Sequence, residues 1–149
     1  MTKNEIIKFD LENICFHEAG HLVALMKLGG HGFIRIDDDI DDGDLKNQSA
    51  FSGRVIICQM PETKESQRVV GLAGVLADML NRDPELDEVD AECYLEDPNC
   101  LSPTDAELSE GYTQETVITA IELLRQNWAM VEHYAECEMG KLDEGRGDD

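Results

Sequence analysis

Two histidines four residues apart, His17 and His21, with Glu18 directly after the first, constrain this chain more than any other feature of its sequence. An α-helix completes a turn in about 3.6 residues, so on a helix both imidazoles leave the same face and can grip one metal ion. Glu18, rotated by about 100° from His17, then stands beside the ion, where a general base for an activated water belongs. The stretch His17-Glu18-Ala19-Gly20-His21 has the HExxH form of zinc hydrolases. The plainer reading makes both histidines polar residues on the outside of a core helix. Against it, they flank an apolar stripe, where imidazoles without partners are costly.

The flanking residues predict that helix. Leu11, Ile14, Cys15, Ala19, Leu22, Val23 and Met26 recur at the three-and-four spacing of an amphipathic helix. Asp10 is the expected N-cap, and the pair Gly29-Gly30 is expected to end the helix after Leu28.

With 149 residues the chain reads as one domain over residues 1–141, followed by a polar, disordered tail over 142–149. A chain of this size buries roughly 68 to 70% of its unfolded surface without needing a metal as a staple, so a metal here can serve chemistry. Thirty-three acidic against twelve basic residues give a net charge of -21. Such a charge repels phosphate backbones and argues against nucleic-acid and anionic-membrane partners, and otherwise marks a well-solvated surface. Cys15, Cys58, Cys93, Cys100 and Cys137 are odd in number and form no CxxC pair, and no signal peptide precedes them, so reduced thiols and a cytoplasmic location are expected. No apolar run approaches membrane-spanning length.

Beyond the first helix, Gly32 to Ile36 and Phe51 to Cys58 read as two strands of a small antiparallel ribbon. Between them, Asp37 to Asp44 holds six aspartates in eight residues but fits no EF-hand register, since the glycine and the closing glutamate fall in the wrong places. It is expected to be a solvated turn. Glu65 to Leu80 returns to helical spacing, with Gly71, Gly74 and Ala77 interleaved to permit close approach to the HExxH helix. The acidic segment Asn81 to Asn99, interrupted by Pro84 and Pro98, reads as a loop with one helical turn at most. Ser102-Pro103-Thr104-Asp105 has the form of a helix start, and there Asp105 can simply favour the helix dipole. A last long helix is expected from about Gln114 to Met139, ended by Gly140. The fold class is therefore mainly α with a small antiparallel β-ribbon.

In this order the pieces resemble the peptidase domain of FtsH-type ATP-dependent zinc metalloproteases, a zincin-like fold. The residues that carry the resemblance are His17-Glu18-Ala19-Gly20-His21-Leu22-Val23-Ala24, the strands around Phe33 and Arg54, Leu72-Ala73-Gly74 through Ala77-Asp78, and Ser102-Pro103-Thr104-Asp105. It extends from about Asp10 to Met139. The resemblance implies that Asp105 is the third zinc ligand beside His17 and His21. It also implies that Asp78, in place of the family's glutamate, orients a ligand imidazole. The Ser-Pro-Thr-Asp segment departs from the family's usual wording. The AAA+ motor and transmembrane helices of full-length members are not in these residues, so a stand-alone domain acting on peptides or unfolded protein segments is expected.

The expected activity is that of a zinc-dependent endopeptidase in which Zn2+ is held by His17, His21 and Asp105 and Glu18 acts as general base. His31, Tyr112 and His133 are the residues whose chemistry suits a helper at the substrate oxygen. A rival expectation is an inactive or weakly active zinc-binding interaction module whose acidic surface meets a basic partner; a homo-oligomer is also compatible. A metal-dependent hydrolase of a non-peptide substrate fits the same ligands without further support.

Overall fold

The computed structural model describes residues 2–38, 51–97 and 99–145. Helix α1 spans Lys3–Lys27 and opens on a capping box, with the Thr2 hydroxyl accepting from the Glu5 amide at 3.1 Å and the Glu5 carboxylate accepting from the Thr2 amide at 2.8 Å. The helix thus starts ahead of Asp10, because this reciprocal cap satisfies two terminal amides where a lone aspartate would satisfy one. Asp10 lies within α1, and its Oδ2 instead accepts the Phe51 amide at 3.0 Å, tying the helix to the start of the second strand. The expected C-terminus holds. Leu28 is the C-cap, and Gly29 follows at φ 98°, a conformation that excludes most side chains.

Strands β1 (His31–Asp38) and β2 (Phe51–Gln59) pair antiparallel. In their register Ile34 opposes Val55 and Ile36 opposes Gly53, and this face turns toward α1, with Ile34 buried. The alternate residues, including Phe33 and Arg35, stand on the outer face. Asp37 and Asp38 prolong β1 rather than begin a turn. The rest of the expected acidic turn, residues 39–44, lies outside the described residues.

Helix α2 (Lys64–Arg82), capped by Thr63, is buried almost continuously from Val69 to Ala77. It lies against α1 at a distance that only small residues allow. A Cβ at Gly20 would fall 2.5 Å from the Ala77 methyl and 2.6 Å from the Ala73 carbonyl oxygen. The segment expected to be mostly loop contains a two-turn helix instead, α3 (Glu88–Leu95), for which Asp87 supplies the N-cap and Ala91 and Leu95 the buried face. Its two buried apolar residues, four apart, pack on the core, which charge and proline content had hidden. Helix α4 (Pro103–Leu108) begins as expected, the Ser102 hydroxyl accepting from the Asp105 amide at 3.1 Å.

The expected last helix is two, α5 (Gln114–Gln126) and α6 (Trp128–Gly145). At Asn127 the backbone leaves helical geometry, and the side-chain amide donates to the Leu123 carbonyl at 2.8 Å beside the backbone amide of the same residue, doubling the cap on the end of α5. The apolar stripe runs through the break, with Val117, Ile121, Leu124, Val131 and Ala135 all buried, so periodicity alone could not reveal it. Trp128 stacks on Phe16 of α1 with ring centroids 5.8 Å apart. Helix α6 passes Gly140 and reaches Gly145; residues 146–149 of the expected tail lie outside the described residues. The core joins α1, α2, α5 and α6 through Leu25, Leu72, Leu76, Ile121, Leu124 and Val131. Among the described residues no disulfide forms, and no helix is long and apolar enough to cross a membrane.

Two glycine replacements should have opposite signs. Gly20→Ala pushes a methyl into the α1–α2 contact and should lower unfolding free energy by about 1–3 kcal/mol in urea titration. Gly140→Ala, where a Cβ meets nothing within 4 Å, should raise it by about 0.5–1 kcal/mol.

Candidate metal centre

Helix α1 presents His17 and His21 toward α2, and α4 brings Asp105 across to meet them. The His17 and His21 Nε2 atoms are 3.2 Å apart, and each lies 3.2 Å from Asp105 Oδ2. The three donors form a near-equilateral triangle, although Asp105 follows His21 by 84 residues. A four-coordinate divalent ion with donors at about 2.0 Å holds them about 3.3 Å apart, which the spacing of this triangle matches. The group could therefore hold a metal ion.

The far side of each ring fixes which nitrogen carries the lone pair. His21 Nδ1 lies 2.7 Å from the Val70 carbonyl oxygen, which can only accept, so that nitrogen bears the proton. His17 Nδ1 donates likewise to Asp78 Oδ2 at 3.0 Å. In the neutral rings both Nε2 lone pairs then face Asp105, as metal ligation requires. Asp78 therefore lies against the His17 imidazole and outside the triangle of donors. Its other oxygen, Oδ1, is buried and accepts no hydrogen bond among the described residues.

Space for an ion depends on Gly74. A Cβ there would intrude on His21 Nε2 and lie 2.6 Å from His17 Nε2, filling the point where the rings converge. Glycine at this place keeps the site open, and Gly71, one turn earlier, lets α4 approach through Ser109 and the Asp105 carbonyl.

Glu18 is only 5% exposed and borders a cleft of about 490 Å³ that His17, His21 and Asp105 also line. Burial raises its pKa, while the neighbouring His21 and His17 act to lower it. The net direction is upward, toward the range of a carboxylate that can both take and return a proton. Burial acts to lower His17, but hydrogen bonds to Asp105 and Asp78 outweigh it, and the imidazole is pushed up to about 10. Burial acts to raise Asp105, yet hydrogen bonds from His17 and His21 hold it well below the usual carboxylate range.

Of the three helpers considered for the substrate oxygen, none lines the cleft. His31 and His133 are exposed, the latter 3.7 Å from Cys137 Sγ, and Tyr112 packs at the edge of the core. Several participants carried no readable signal. The Val70 carbonyl is backbone, and Gly53 and Arg54 of β2 reach the cleft only through strand register. Gly74 was visible as a small residue, though not as the cradle of the site. No family model matches the chain, and no curated protein resembles it significantly.

The protons on this cluster dictate two pH trends. Because His17 is raised above its ordinary 6.5, its contribution to the stability of metal-free protein is complete below that pH and lost as pH rises toward 10. Asp105, held low, contributes above its ordinary 3.8 and loses that contribution in stronger acid. A metal must displace the His17 proton, so its affinity should rise with pH while metal-free stability falls. Thermal melts from pH 6.5 to 9 should thus show a metal-induced gain that grows with pH; a pH-independent gain would contradict the ligand assignment. Asp78→Ala should weaken metal binding by about 10- to 100-fold without removing it, as read by competition with a chromophoric chelator.

Proposed function

We propose that this protein is a zinc-dependent peptidase with an FtsH-type, zincin-like fold. The observation that carries the reading is the convergence of His17, His21 and Asp105 on one point, with the buried carboxylate of Glu18 in the same cleft. Two imidazoles and one carboxylate with an open position suit zinc in a hydrolytic role. The order of elements supports the fold reading: an HExxH helix, a two-stranded ribbon, a helix of small residues, a short helix bearing the third donor, then two long helices.

Zinc held there supplies Lewis acidity, polarising a carbonyl and lowering the pKa of water toward about 7. The chain's own residues do the rest. Glu18, its pKa raised by burial, accepts the water proton and returns it to the leaving amine. Asp78 and the Val70 carbonyl keep the two imidazoles in the ligating tautomer and orientation. Gly53, Arg54, Val55 and Ile57 of β2 flank the cleft, so an extended peptide can lie along the strand and pass its carbonyl over the site. Main-chain pairing of this kind suits unstructured segments of varied sequence.

The competing reading is a non-catalytic zinc-binding module, favoured by the net charge of -21, which suits contact with a basic partner. The two part company at Glu18. A zinc peptidase cleaves unstructured peptides in a chelator-sensitive manner, and Glu18→Gln lowers kcat by at least about 10²-fold with zinc still bound. A salt-sensitive complex that survives Glu18→Gln, with no cleavage by the wild type, would favour the module.

A further inference from the structure

Arg54 stands out on a chain with twelve basic and thirty-three acidic residues. It lines the cleft that holds His17, Glu18 and Asp105 and is exposed, and among the described residues it makes no ion pair or hydrogen bond. The other described arginines are occupied. Arg35 reaches Asp37, Arg68 reaches Glu65 and the Glu110 carbonyl, Arg82 the Asp78 carbonyl, and Arg125 the carbonyls of Pro84 and Leu86.

Strand register adds a second observation. Arg54 directly opposes Arg35, so two guanidinium side chains share one face of the ribbon, an arrangement that destabilises a sheet unless an anion offsets it. Arg35 has Asp37 at 3.4 Å; among the described residues Arg54 has no such neighbour. The preceding residue fixes its place relative to the chemistry. A Cβ on Gly53 would lie 3.1 Å from Glu18 Cγ, so Gly53 faces the base. Alternation then puts Arg54 on the outer face, at the cleft rim one residue along.

We infer that Arg54 is a specificity-determining residue that recognises a carboxylate on the peptide, within a residue or two of the bond facing Glu18. The inference rests on the peptidase reading for the identity of the ligand. An arginine fork matches a carboxylate in a way that a lysine or a neutral residue does not. The surrounding negative charge repels acidic peptides at long range, but at physiological ionic strength that field is screened beyond about 8 Å, whereas a direct pair at the rim is not. The carboxylate can be an aspartate or glutamate side chain, or the C-terminus of a short peptide.

Binding tests this apart from turnover. Zinc-treated Glu18→Gln protein is titrated calorimetrically with one peptide scaffold in four forms: an internal glutamate or its glutamine counterpart, each with a free or amidated C-terminus. The glutamate or free-acid form should bind roughly tenfold tighter than the fully neutral one at 0.15 M salt. The form that carries the difference identifies the source of the carboxylate. Arg54→Gln should bring the ratio near one and Arg54→Glu should invert it, while Arg35→Gln should keep it. Equal binding of all four forms, no binding of any, or a preference that survives Arg54→Glu or falls as far in Arg35→Gln, would overturn the inference. Discrimination lost at Arg54 without cleavage by the wild type would leave Arg54 assigned and refute the peptidase reading.

Discussion

The site exists because α1 and α2 meet almost backbone to backbone. Gly20 on one helix nests against Ala73 and Ala77 on the other, and the missing side chain of Gly74 leaves the pocket into which His17 and His21 point. Interhelical distance here is set by the smallest side chains at the contact, and one methyl group at position 74 would occupy the space of an ion. Gly71 extends the same device to α4, whose approach carries Asp105 to the triangle. A stripe of small residues therefore does two things at once: it packs the helices, and it keeps three distant donors within 3.2 Å of one another.

Much of this was legible in the sequence because it follows from periodicity. The HExxH helix, the ribbon, the small-residue helix and the Ser102-Pro103 helix start all obey local rules, and the structure has each of them. What escaped has causes that periodicity does not carry, some local and some tertiary. The start of α1 shifted because the Thr2–Glu5 box caps better than Asp10, whose carboxylate was needed by Phe51. The break at Asn127 lies inside a continuous apolar stripe, so only the competing side-chain amide betrays it. The pair His17–Asp78 spans 61 residues and His21–Val70 spans 49. No local spacing encodes either one, and a family resemblance supplied Asp78 while nothing supplied Val70.

The electrostatics of the centre are arranged in opposition. Asp78 and Asp105 both favour a proton on His17, whereas ligation needs its Nε2 bare. A bound ion would resolve this conflict by replacing a proton between His17 and Asp105 with a charge that all three donors can share. Glu18 stays outside that exchange, close enough to feel both imidazoles yet buried enough to be raised. On the proposed reading this division of labour separates the residues that hold the ion from the residue that moves protons.

X-ray absorption at the zinc edge of the loaded protein reads the donor set of the His17, His21 and Asp105 centre itself. A centre built on these residues should show one equivalent of zinc with four nitrogen or oxygen donors at about 2.0 Å, two of them imidazoles, and should lose that signal in Asp105→Ala. Failure to take up zinc, or a shell containing sulfur at about 2.3 Å from the chain's cysteines, would contradict this donor set.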